Sequence, residues 1–90
     1  GVAYTANLGS DTVLGITNSA PQSYTLNGLN TASAAIISQS GMDGANGGWA
    51  VLYGANPVQA NNLNLTIDED QIRDSERGHA SEQVAYIVFE

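Results

Sequence analysis

Ninety residues are enough for one domain around one hydrophobic core and not for two. Nine acids stand against two arginines, with no lysine, for a net charge of -7. That balance excludes nucleic acid, whose phosphates need cationic groups, and it disfavours an anionic membrane surface. No stretch is long and apolar enough to span a bilayer, and with no cysteine there is no disulfide to staple the fold.

Apolar runs are short, turn residues are frequent, and no window repeats apolar residues at i, i+3, i+4 and i+7, so helix is not expected. About seven strands are expected, the pattern of a small antiparallel β-sandwich occupying residues 1–90 as a single all-β domain. In chain order, Val2–Ala6 is the first, with Val2 and Tyr4 on one side. Thr12–Ile16 is the second, with Gly15 as a candidate bulge. Pro21 precedes the third, Ser23–Leu26, which the turn pair Asn27-Gly28 closes. Ser33–Ser38 is the fourth, with Ile36 and Ile37 on opposite faces.

A glycine-rich loop, Gly41 to Gly48, leads to the fifth strand, Trp49–Tyr53. Period-two geometry puts Trp49, Val51 and Tyr53 on one face and Ala50 and Leu52 on the other. Asn56-Pro57 breaks the chain. Leu63, Leu65 and Ile67 then face the core in the sixth strand, with Asn64 and Thr66 toward water. The seventh, Val84–Phe89, is the least polar and is expected at the centre of a sheet. A chain that starts at Gly1 without an initiator Met reads as a piece of a longer precursor.

Between the last two strands lies a dense acidic stretch running from Asp68 to Arg77. Hard cations take carboxylate oxygens, which makes calcium the candidate ion and Asp68, Asp70, Asp74 and Glu76 its candidate ligands. The spacing is not that of a helix–loop–helix calcium loop, since Ile72 falls where an oxygen ligand is needed. The plainer reading is a solvated bend whose arginines pair with nearby acids.

His79 is the lone histidine, with Asp74, Ser75 and Ser81 near it in sequence. Catalytic triads draw their members from separate elements and need an oxyanion hole that nothing here provides, so no catalytic residue is assigned. The expected place for His79 is a polar loop, facing water or pairing with an acid such as Glu82. One histidine and no cysteine leave no zinc site.

Trp49 and Tyr53, with Asp43 and Asn46 from the preceding loop, supply the ingredients of a sugar site: an aromatic platform beside carboxylate and amide groups. The competing expectation, and the favoured one, is that both rings fill the core.

The run Gly47-Gly48-Trp49-Ala50-Val51-Leu52-Tyr53-Gly54, the strand and acidic stretch Leu63 to Asp70, the segment Asp74-Ser75-Glu76-Arg77 with His79, and the closing Glu82-Gln83-Val84-Ala85-Tyr86-Ile87 resemble β-sandwich modules at the carboxyl ends of large secreted bacterial proteins. More distantly they resemble the H-type lectin domain. The resemblance covers the second half of the chain and departs from those lectins at Tyr86, where they tend to carry tryptophan. It implies a small antiparallel sandwich that forms trimers and binds sugars. Few charges and many Asn, Ser, Thr, Gln and Gly residues accord with an extracellular protein.

Two functions follow as expectations. One is a non-catalytic module for adhesion or for binding a glycan or cell-surface component. The other is a self-assembling structural subunit of a fibre or coat, joined by strand addition or oligomer contacts, since a chain this small gains burial by associating.

Overall fold

The computed structural model describes residues 3–71 and 76–90. The chain is all-β, with no helix among these residues and seven strands: β1 (Tyr4–Leu8), β2 (Gln22–Thr25), β3 (Ala34–Gln39), β4 (Gly48–Leu52), β5 (Val58–Gln59), β6 (Asn62–Glu69) and β7 (Val84–Phe89). They form two antiparallel sheets, β1-β7-β3 and β2-β6-β4, with the short β5 pairing β6 along the β4 side. The expected β-sandwich is the fold, and β7 is the centre of its sheet.

The core lies between the two central strands. Period-two geometry turns Leu63, Leu65 and Ile67 of β6 and Val84, Tyr86 and Val88 of β7 inward, where all are buried. Val13, Tyr24 and Leu26 complete the cluster. The Tyr24 and Tyr86 rings meet at 5.7 Å between centroids, a distance typical of favourable aromatic pairs. The Tyr24 hydroxyl donates to the Ser10 carbonyl at 2.7 Å and accepts from the Val84 amide at 3.2 Å, so its polar end is satisfied inside.

Five of the expected strands stand within a residue or two of their observed ends. Val2, the start expected for the first, lies outside the described residues. Thr12–Ile16 is corrected: it makes two single bridges, Val13 with Glu82 and Gly15 with Ile67. The reason is that the segment passes from one sheet to the other, so Val13 exchanges both backbone bonds with Glu82 while Leu14 accepts from the Ile67 amide at 2.9 Å. Gly15 is no bulge here. A β-carbon on it would collide with the backbone of Arg77, Gly78 and His79.

The strand missing from the sequence reading is β5. Its two residues follow Pro57 and turn through Ala60 and Asn61 into β6. The chain bends at Gly28, where a turn is expected, and its φ of 90° is a left-handed conformation suited to glycine.

Candidate functional site

Three ionisable side chains meet inside the fold. Glu69 closes β6, and because the inward phase of Leu63, Leu65 and Ile67 continues to it, its carboxylate points into the protein. His79 and Glu82 come from the connection between β6 and β7. All three side chains are at most 3% accessible. His79 Nδ1 makes a very short contact with Glu69 Oε2, and its Nε2 lies 2.8 Å from Glu82 Oε2.

Backbone groups hold the arrangement. Glu82 accepts from the Asp43 amide at 2.9 Å and from the Gly44 amide at 3.0 Å, both in the β3–β4 loop. Asn18 Oδ1 accepts from the His79 amide at 2.8 Å and from the Gly15 amide at 3.2 Å. Gly44 packs against the imidazole so closely that a β-carbon would sit 2.8 Å from ring atoms.

A neutral imidazole has one N–H and could donate to only one carboxylate, leaving the other facing a lone pair. The imidazolium donates to both. Burial pushes the His79 pKa down, but the hydrogen bonds and charges of Glu69 and Glu82 outweigh it and the net shift is upward. Burial likewise pushes Glu82 up, and the Gly44 and Asp43 amides with His79 reverse that to a net lowering. The cluster thus holds two carboxylates around one cation. With both ring nitrogens engaged, the imidazole is not free to take a proton from a substrate.

An open cleft of about 360 Å³ adjoins this cluster, lined in part by Asn18, Asn46, Glu69, Glu76 and His79. Of the residues expected in a sugar site, Asn46 lines this cleft, and Asp43 lies at the same end through its amide bond to Glu82. Asp11 pushes the Asp43 carboxyl above its ordinary range, by a hydrogen bond and by its charge.

Trp49 and Tyr53 do not join them. The core expectation for Trp49 is corrected: the residue is 47% exposed. Register is the cause. Ile67 faces inward, so its partner Ala50 packs against the core, which turns Trp49 outward opposite Asp68; Leu52, opposite Leu65 at the strand's end, stays 37% exposed. Tyr53 is half-buried. On this outer face Arg77 grips Asp68 with two bonds, Nε to Oδ1 at 3.2 Å and a second guanidinium nitrogen to Oδ2 at 2.9 Å. The hydrogen bonds from Arg77 hold the Asp68 carboxyl below its ordinary value, against a smaller opposing effect of burial. In the same face stand Asn62, Asn64 and Ser23, with Ser23 Oγ 2.6 Å from Asn64 Oδ1 and Asn62 donating to it at 2.8 Å. Thr66, expected toward water, is fully buried and donates to the Leu14 carbonyl at 2.7 Å.

Of the candidate calcium ligands, Asp68 is engaged by Arg77, Asp70 is exposed, Glu76 borders the cleft, and Asp74 lies outside the described residues. Among the described residues no three histidine, aspartate or glutamate side chains gather as a metal would need. His79, expected in a polar loop facing water or pairing with an acid such as Glu82, does pair with Glu82 but is buried, and the acidic stretch is exposed only in part. The residue that sequence reasoning missed is Glu69, although the alternation of β6 pointed it inward. Comparison of the chain with protein families, curated proteins and solved structures returns no significant match.

Proposed function

We infer that this chain is a non-catalytic binding module of a secreted bacterial protein, of the kind its second half resembles, and that it engages a glycan or other polar cell-surface component through the outer face of the β2-β6-β4 sheet. One observation carries this reading. Trp49 stands half exposed beside the Asp68–Arg77 pair, on a face that also bears Ser23, Asn62 and Asn64. An aromatic face takes the apolar side of a sugar ring, and amide, hydroxyl and charged groups around it take the hydroxyls. The non-catalytic part of the reading is supported by His79, the lone imidazole, whose two nitrogens are already committed to carboxylates.

The test is a glycan array probed with calcium present and with calcium chelated. Wild type should bind at least one glycan, and Trp49→Ala should lose about tenfold or more, equivalent to ~1.4 kcal/mol. Failure of wild type to bind any glycan with calcium present sinks the reading.

A second reading, a self-assembling structural subunit, is favoured by a different observation. The outer face of the β1-β7-β3 sheet is apolar but for Ser38 and carries no charge.

A further inference from the structure

Antiparallel pairing puts partnered residues on the same side of a sheet. The outward side chains of β1, β7 and β3 therefore form three rows: Tyr4–Phe89–Ala34, Ala6–Ile87–Ile36 and Leu8–Ala85–Ser38. Eight of these nine are apolar and none is charged. Tyr4, Leu8 and Ile36 are 58%, 50% and 62% exposed. An antiparallel sheet with one face on the core ordinarily turns polar residues to water, and the other sheet of this molecule does so with Ser23, Asn62, Asn64 and Asp68, Trp49 being its large exposed apolar side chain on that face. A continuous apolar face of this kind marks an interaction surface.

We propose that this face docks against the same face of a second copy of the chain, related by a two-fold axis lying along β7. The rows themselves argue for it. A two-fold rotation about β7 places β1 of one copy over β3 of the other. Each flanking pair then sets a large side chain on a small one: Tyr4 on Ala34, Ile36 on Ala6, Leu8 on Ser38. Down the axis Phe89, Ile87 and Ala85 meet their own copies. No row stacks two bulky flanking residues, so the surface is complementary to itself.

A second feature falls where this arrangement needs it. A hollow of about 160 Å³ lies between β3 and β7, lined by Ile36, Ile37, Ser38, Ala85, Tyr86 and Ile87. It is the position over which the rotation carries the partner's Leu8. Charge is also kept away. Glu90, the acid next to the face, is turned to the Asn30 amide at 2.7 Å.

Three strands about 4.8 Å apart and six residues long cover roughly 300 Å² in projection. With side-chain relief and rim, two copies bury on the order of 800–1,000 Å², less than stable specific interfaces and in the range of weak, transient ones. The expected outcome is a weak dimer with a Kd on the order of 10⁻⁵ M.

The inference rests on the self-assembly reading and is independent of the glycan site. Sedimentation equilibrium of the described chain, from about 1 μM to about 1 mM to bracket that Kd, decides both. Wild type should pass from monomer to dimer. Leu8→Lys and Ile36→Lys, at exposed positions and checked for an unchanged circular dichroism spectrum, should each weaken association by about 30-fold or more, as loss of a central anchor does. Leu8→Lys combined with Ser38→Glu should restore much of it, because the two-fold sets each new lysine on a new glutamate. Wild type that stays monomeric throughout overturns both the dimer and the self-assembly reading. Association that ignores Leu8→Lys and Ile36→Lys overturns this face while leaving self-assembly by another route. Association weakened by the lysines but not restored by the double variant overturns the two-fold register.

Discussion

The imidazole of His79 stabilises this fold because of what surrounds it, and its loss would fall on two neighbours at once. Each carboxylate of Glu69 and Glu82 is buried, and burial of an unpaired charge costs several kcal/mol after relaxation. The amides of Asp43 and Gly44 serve Glu82, but the side-chain hydrogen-bond partner described for Glu69 is His79. His79→Ala should therefore destabilise the protein by about 3–5 kcal/mol, the range for removing one member of a buried ionic cluster. Urea denaturation checks this, and a loss under about 1 kcal/mol would mean that water or a rearranged side chain replaces the ring. The same geometry explains why position 44 is glycine: the ring occupies the space a β-carbon would need.

At the scale of strands, one phase decides most of what is exposed. The alternation of β6 puts Leu63, Leu65, Ile67 and Glu69 inside, and its partners inherit that phase. Two substitutions separate the consequences. Leu65→Ala should cost about 2–5 kcal/mol as a buried large-to-small change. Trp49→Ala, on the outer face of the neighbouring strand, should cost under about 1 kcal/mol despite removing a larger side chain. Thermal or urea unfolding of both variants checks the contrast, and equal losses would put Trp49 in the core after all. The long strands were legible in sequence for the same reason: β6 and β7 carry enough alternation or apolar density to set both identity and phase. Trp49 was misplaced because aromatic residues on strands usually fill cores, and only pairing with β6 reveals which side of β4 is inward. The two-residue β5 carries too few residues for any period. Segment 13–15 is strand-like in composition but is divided between two sheets. Glu69 shows the limit most clearly: its own strand pattern pointed inward, yet the acids around it read as solvated.

The whole molecule carries a net charge of -7, and its pH response turns on the few groups whose pKa differs between the folded and unfolded states. His79 is raised above its ordinary 6.5. Its contribution is therefore complete below pH 6.5 and is lost as pH rises through the folded-state value, because the native state then gives up a proton that the unfolded chain has already released. Glu82 is lowered below its ordinary 4.5. Its contribution is complete above pH 4.5 and is lost as pH falls through the folded-state value. Asp68, lowered from 3.8 by Arg77, adds to the acid limb, and the raised Asp43, exposed beside Asp11, works in the opposite sense there. Glu82 and His79 together give a plateau of stability between about pH 4.5 and 6.5. On its alkaline side the native state holds more protons than the unfolded state. Stability there should fall with rising pH until His79 titrates in the folded protein, with about 1.4 kcal/mol per pH unit as the ceiling for one group. Urea midpoints across the pH range read the plateau, and the imidazole resonances of the single histidine read its cause directly. A folded-state midpoint below 6.5 for His79 would show that burial, not the paired glutamates, governs the ring. A midpoint above it, with stability declining from about pH 6.5 up to that midpoint, ties the alkaline limit of the sandwich to the charge held between its strands.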